Sequence, residues 1–252
     1  MSEPTTHRWA ASDGVDLAFH EVGQGRPVVL LHGLFSSAHV NWIKFGHAEK
    51  LAAVGCRVIM PDLRAHGHSA APHDPAYYPA GILGRDLEQL VAHLGVTDYD
   101  LGGFSLGART TVQGIGEGLT PARAILAGMG FEGLTGWLAR KQFFVDALAN
   151  FDISSRGDKH WLAIQFMKTM KVDRIAAGLL LPTFTDAHAS WLAAFTMPTL
   201  VLCGTEDQDN GSAPNLVAAL PAATLAPVPG THMSSVTRPE FGDALAAFLA
   251  PA

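Results

Sequence analysis

Short continuous apolar runs punctuate this chain: Pro27-Val28-Val29-Leu30-Leu31, Arg57-Val58-Ile59-Met60, Tyr99 to Phe104, Ala124-Ile125-Leu126 and Thr199-Leu200-Val201-Leu202. Runs of this length without polar alternation predict strands covered on both faces. Between them, residues recur at helical spacing over Val40 to Val54, Ala80 to Leu94 and Ser105 to Gly118. Strand and helix therefore alternate, which implies a mostly parallel sheet with right-handed crossovers. His7 to Ala11 and Val15 to Val22 flank the turn Ser12-Asp13-Gly14 and predict an opening hairpin. Helix Ala213 to Leu220, strand Ala223 to Val228 and helix Pro239 to Leu249 complete the pattern. The predicted fold class is α/β.

One interval breaks the alternation. From about residue 131 to residue 195 no strand-like run appears, and Trp137, Phe143, Phe144, Leu148, Trp161, Phe166 and Met170 recur at helical spacing. This predicts a core domain made of residues 1–130 and 196–252, with residues 131–195 inserted as an all-helical cap. The aromatic and thioether side chains of the insertion suit the wall of an apolar pocket. A helical unit also needs a core of its own, so about two thirds of them are expected to hold helix on helix.

Composition narrows the partners. With 252 residues, 48% hydrophobic and 16% charged, the chain suffices for one large core. The net charge of −6 and the scattered basic residues argue against nucleic acid or an anionic membrane surface and favour a small-molecule partner. No apolar run approaches the ~18 residues of a membrane span, and the N-terminal residues show no secretory pattern, so a cytoplasmic location is expected. Cys56 and Cys203 sit at the edges of predicted strands and read as buried, reduced thiols. Gly23-Gln24-Gly25 precedes a strand, Gly114 to Gly118 closes a helix, and there is no Gly-Lys-Ser or Gly-Lys-Thr, so no nucleotide cofactor is expected.

Against this background Gly103-Phe104-Ser105-Leu106-Gly107 stands out as a G-x-S-x-G pattern at a predicted strand-to-helix turn. The glycines let neighbouring backbone pass close by, and the serine hydroxyl is left exposed. A serine that merely caps a helix needs no flanking glycines. A nucleophilic serine needs a base, and the base needs a partner that fixes its tautomer. Of the 12 histidines, His232 follows the last predicted strand in Pro229-Gly230-Thr231-His232, where a loop reaches over the sheet's carboxyl edge. Asp207 follows the strand that resumes after the insertion, with Glu206 and Asp209 as adjacent alternatives. Ser105, Asp207 and His232 then occur in the chain order of nucleophile-elbow hydrolases.

Over nearly its whole length the chain resembles the α/β-hydrolase-fold serine hydrolases, in the esterase, enol-lactonase and perhydrolase branch with a helical cap. Leu31-His32-Gly33-Leu34 resembles the family's His-Gly loop, and the likeness implies that Leu34 and Leu106 supply the backbone N–H groups of an oxyanion hole. His32 is then a scaffold of that loop. The family's G-x-x-D spacing, counted from Gly204, selects Asp207 as the acid. Pro61-Asp62-Leu63-Arg64-Ala65-His66-Gly67-His68-Ser69 also matches, with Ala65 where the family has glycine, which predicts that this position does not need a positive φ. His66 and His68 have a chelating spacing but no third ligand nearby, so no metal is expected. The implied activity is hydrolysis of a carboxylic ester or lactone without a cofactor. Two alternatives use the same triad, C–C bond hydrolysis and cofactor-free perhydrolysis. A non-catalytic small-molecule receptor on this fold is the alternative of another class. Ser105 argues against epoxide hydrolases and haloalkane dehalogenases, whose elbow carries aspartate. Leu34-Phe35-Ser36-Ser37 lacks the glycine-rich oxyanion loop of C–C bond hydrolases.

Overall fold

The computed structural model describes residues 3–251. Among them, eight strands form one sheet: β1 (Thr5–Ala10), β2 (Asp16–Val22), β3 (Arg26–Leu31), β4 (Cys56–Asp62), β5 (Asp100–Phe104), β6 (Arg123–Ala127), β7 (Thr199–Gly204) and β8 (Ala223–Val228). Their spatial order is β1-β2-β4-β3-β5-β6-β7-β8. The pairs β1–β2 and β2–β4 are antiparallel, and every later pair is parallel. The predicted hairpin is present, with Trp9 opposite Leu17 and the Ala11 N–H bonded to the Val15 carbonyl at 2.9 Å.

The helices follow in chain order: α1 (His47–Ala53), α2 (Ile82–Leu94), α3 (Leu106–Gly116), α4 (Phe131–Thr135), α5 (Trp137–Ala149), α6 (Trp161–Thr169), α7 (Arg174–Leu180), α8 (Ala189–Ala193), α9 (Ala213–Ala219), α10 (His232–Ser235) and α11 (Pro239–Leu249). Two apolar layers sandwich the sheet. Val28 and Leu30 of β3 pack with Trp42, Leu51 of α1 and Phe241 and Leu245 of α11. Val29 and Leu31 pack with Leu83 and Leu87 of α2 and Val112 of α3. Successive β3 residues thus enter opposite layers, and both are dry, which is why the strand reads as an unbroken apolar run. Between β6 and β7 the described residues form α4 to α8 and no strand.

Two expectations change in the structure. The helix expected over Val40 to Val54 is broken: a widened turn covers His39–Ile43, and Gly46 takes a left-handed φ of 76° before α1. Ala65 has a φ of 66°, against the expectation that its loop avoids positive φ. The chain must reverse sharply there so that His66 reaches back beneath the Phe35 N–H, at 3.0 Å. Alanine, with only one methyl, tolerates the left-handed region at ~1–2 kcal/mol. Both cysteines are buried and unpaired, as the sequence predicts. Among the described residues no helix is long and apolar enough to cross a membrane.

The turn from β5 into α3 leaves no room for a side chain at two glycines. A Cβ on Gly103 would lie 2.3 Å from the Gly107 carbonyl carbon, and a Cβ on Gly107 would lie 2.2 Å from the Leu31 carbonyl oxygen. Neither neighbour is a flexible side chain, so α3 has to move if either glycine acquires a methyl. We expect Gly107→Ala to cost more than about 3 kcal/mol and lower Tm by at least roughly 6 °C in thermal unfolding. Gly178→Ala, inside α7 with open space around it, should instead stabilise by up to about 1 kcal/mol. An unchanged Tm for Gly107→Ala contradicts the close-approach account.

Candidate active site

β5 ends at Phe104 and α3 begins at Leu106, so Ser105 alone turns the chain, with φ 55° and ψ −109°. A non-glycine residue in such a conformation stores roughly 1–3 kcal/mol. The strain is held by the Ser105 N–H bond to the Ala127 carbonyl at 2.8 Å. Although Ser105 precedes a helix, its hydroxyl makes no cap bond to α3. It faces His232 instead, with Nε2 3.1 Å from Oγ.

His232 is the first residue of α10, whose start is fixed by Thr231 and Ser234 in a reciprocal capping box. The Phe104 ring stacks on the imidazole at a centroid distance of 4.8 Å. The other ring nitrogen, Nδ1, lies 2.8 Å from Asp207 Oδ2. A carboxylate only accepts, so Nδ1 carries the proton and Nε2 is free to accept one from the Ser105 hydroxyl. The Asn210 amide nitrogen, 3.3 Å from Nδ1, is then a donor beside a donor. Its hydrogen bond goes to the Gly128 carbonyl at 2.9 Å.

Asp207 follows β7 with its side chain 1% exposed. Burial pushes its carboxyl upward, but the bond and charge of His232, the Asp209 N–H at 3.0 Å and the Cys203 thiol outweigh this and hold it below the ordinary 3.8. Of the other two acids, Glu206 and Asp209 are exposed residues. The backbone of Asp209 orients Asp207. Burial, followed by the Asp207 charge, raises the Cys203 thiol to about 12, so it is no nucleophile.

The loop after β3 is strung on side chains from elsewhere. The His32 ring donates from Nδ1 to the Gly33 carbonyl at 2.8 Å and accepts the Leu63 N–H at Nε2 at 2.9 Å, so it is neutral, in keeping with the effect of its burial. Asn41 Oδ1 accepts the Gly33 N–H at 2.9 Å, His66 Nε2 accepts the Phe35 N–H, and Asp62 Oδ1 accepts the Ala38 N–H at 2.8 Å. The N–H groups on both sides of Leu34 are therefore taken. Among the described residues, those of Leu34 and of Leu106, the first residue of α3, have no acceptor. Both residues line a small cavity that also contains Ser105.

Ser105 stands between two cavities. One, of about 40 Å³, is walled by Arg109, Met129, Trp137, Arg140, Phe144 and Asn210. The other, of about 170 Å³, is mainly apolar, with Val40, Phe45, Phe166, Met233 and Val236 in its wall. Sequence reasoning did not single out Phe104, Arg109, Arg140 or Asn210. No sequence signal marks Arg109 or Arg140 as a lining residue.

Two groups of side chains bring three potential metal-ligand atoms within 4.8 Å of one another: His20, Asp62 and His68, and Asp207, Asp209 and His232. In the first, Asp62 already accepts from the Ala38 and His68 N–H groups and from the His20 ring. In the second, the Asp207–His232 bond occupies the shared atoms. His66 is committed to Phe35 N–H and to the Arg64 carbonyl, and burial lowers it to about 3.

With this geometry established, residues 26–113 match the sequence model of the family described as alpha/beta hydrolase fold. The chain is 32% identical over 107 residues to Epoxide hydrolase 2 of Siraitia grosvenorii, covering 42% of this chain and 33% of that protein. It is 35% identical over 110 residues to non-heme chloroperoxidase CPO-A1 of Kitasatospora aureofaciens, covering 42% and 36%. The chain thus spans only about a third of the length of these curated relatives. An esterase from Exiguobacterium antarcticum superposes with a TM-score of 0.77 at 20% identity, over 97% of this chain and 99% of that one.

The hydrogen-bond order ranks the carboxylates. Asp207→Asn is expected to slow any reaction that draws the proton from the Ser105 hydroxyl by about 10⁴, because an amide no longer selects the Nδ1–H tautomer. Asp209→Asn should slow it by less than about tenfold, since its contribution to Asp207 is a backbone N–H. Steady-state kinetics of the two variants check this, and the opposite ranking contradicts it.

Proposed function

We propose that this α/β-hydrolase-fold chain is a serine hydrolase that cleaves a carboxylic ester or lactone through an acyl-enzyme on Ser105. The observation that carries the reading is the continuous row Ser105 Oγ, His232 Nε2, His232 Nδ1 and Asp207 Oδ2, with spacings of 3.1 and 2.8 Å at its ends. His232 takes the hydroxyl proton as Oγ bonds to the carbonyl carbon, and the carbonyl oxygen becomes an oxyanion. The unpartnered N–H groups of Leu34 and Leu106 meet that oxyanion; one such donor is typically worth ~2.7–4 kcal/mol of barrier. The C–O bond to the alcohol then breaks, and His232 Nε2 returns the proton to the leaving oxygen. Water next attacks the acyl-enzyme, giving a proton to His232 and its oxygen to the acid, and His232 reprotonates Ser105 Oγ.

Residues 131–195 act in this reading as a helical cap on a core made of residues 1–130 and 196–252. Trp137 and Phe144 from α5 and Phe166 from α6 reach the cavities beside Ser105. Other side chains there serve the cap's own packing, among them Ile164 and Met167, both fully buried. Neither step calls for a cofactor, and a serine at the elbow suits acyl transfer. The cavities of about 40 and 170 Å³ admit the acyl and alcohol parts of a small ester or lactone.

Incubation with 4-nitrophenyl butyrate should give steady turnover that falls at least about a thousandfold in both Ser105→Ala and His232→Ala. A receptor that merely keeps the fold predicts no turnover above the Ser105→Ala background, and that result overturns the proposal.

A further inference from the structure

Taking the ester-hydrolase reading as its basis, we infer that the small cavity beside Ser105 is a carboxylate subsite, and that the preferred substrates carry an anionic carboxylate a few bonds from the scissile carbonyl. Arg140, on α5, is its recognition residue. Its side chain lines this cavity together with Ser105, Leu34 and Leu106. One guanidinium nitrogen bonds to Asn210 Oδ1. Because the Asn210 amide nitrogen is committed to the Gly128 carbonyl, its oxygen necessarily faces Arg140 and holds the guanidinium toward the site.

What Arg140 lacks is a counter-ion. Among the described residues neither Arg140 nor Arg109 forms a salt bridge, whereas the buried Arg64 meets Asp86 at 2.8 Å and Asp13 at 2.7 Å. Asp207 and Asp209 act on Arg140 only from longer range, and burial lowers its pKa. Arg109 is 8% exposed and gives three of its five N–H groups to the carbonyls of Gly133, Leu134 and Thr185, which supply hydrogen bonds but no opposite charge. Burial accordingly lowers it to about 10. A half-buried guanidinium without a carboxylate is costly unless something anionic completes it.

A second observation points the same way. Trp137, 5% exposed, lines the same cavity, and its buried indole N–H has no acceptor. An indole N–H can only donate. Arg140, without a counter-ion, and Trp137, whose indole N–H has no protein acceptor, thus both line the cavity that holds Ser105. The cavity volume of about 40 Å³ is several times the ~10–15 Å³ that admits one water, and large enough for a carboxylate. On the opposite side of Ser105 the larger apolar cavity takes the uncharged part of the substrate. A planar, bidentate donor suits a carboxylate, and lysine reproduces the charge but not the fork.

The test compares the 4-nitrophenyl hemiester of glutaric acid with 4-nitrophenyl pentanoate, which has the same acyl length without the charge. The ratio of kcat/KM, anionic over neutral, should exceed about ten in the native protein, the effect of one charge-assisted hydrogen bond. It should fall at least about tenfold in Arg140→Gln and recover in part in Arg140→Lys. Lys168→Gln, which removes an exposed charge from α6, should leave the ratio unchanged. In parallel, glutarate should bind Ser105→Ala in calorimetry and fail to bind the Ser105→Ala, Arg140→Gln double variant. Turnover of both esters with a ratio near one, unmoved by Arg140→Gln, overturns the subsite and leaves the hydrolase reading standing. Glutarate binding without turnover of either ester overturns the hydrolase reading and keeps the subsite.

Discussion

The structure depends on how closely the turn after β5 can approach β3. Gly107 presses on the Leu31 carbonyl and Gly103 on Gly107, at distances no Cβ survives. Because those two positions are bare, a single residue, Ser105, turns the strand into α3. That is why its backbone is forced to φ 55° and its hydroxyl is pushed off the helix axis toward His232. The same turn presents the Leu106 N–H beside the hydroxyl, since the first N–H groups of a helix have no partner in their own helix. The exposed Ser105 hydroxyl and the unpartnered Leu106 N–H are thus two consequences of one steric constraint.

The unpartnered N–H of Leu34 depends on a more distributed device. β3, β4, β5, β7 and β8 all send loops over the same carboxyl edge, the side on which open α/β sheets bind ligands. The loop after β3 has no regular structure to satisfy its amides, so His32, His66, Asn41 and Asp62 do so. Every one of these groups is buried, and each is neutral or matched by donors. What remains is the N–H of Leu34, without a protein acceptor, in a residue that lines both cavities. Two further groups beside the smaller cavity are left incomplete by the protein: the Trp137 indole N–H has no acceptor, and the Arg140 guanidinium has a hydrogen bond to Asn210 but no counter-ion.

Much of this was legible in the chain. The apolar runs mark the central strands, because a strand dry on both faces leaves no polar positions. The elbow was visible because its glycines are needed for a close approach that any sequence must meet in the same way. The G-x-S-x-G pattern marks Ser105 and position after the last strand marks His232, whereas position alone leaves Glu206, Asp207 and Asp209 open and only the family resemblance selects Asp207; the fold brings Ser105, His232 and Asp207 into one hydrogen-bonded row. What was not legible has a common cause. Ala65 reads as a departure from glycine and therefore as a relaxed turn, yet its φ is set by the contact of His66 with Phe35, a long-range demand. The break at Gly46 is a local left-handed residue that helical periodicity does not register. Arg140 and Trp137 lie in a helical segment where period 3.6 tells which residues share a face but not which neighbour that face meets. Asn210 matters only because two other elements converge on its amide.

The central claim is that Ser105 is a nucleophile which becomes covalently acylated. Its most direct measurement is intact-mass and peptide-mapping mass spectrometry after brief exposure to a fluorophosphonate. The account predicts one adduct per chain, mapped to Ser105, and none in protein carrying Ser105→Ala. An unmodified chain, or an adduct that maps elsewhere and persists in Ser105→Ala, contradicts it.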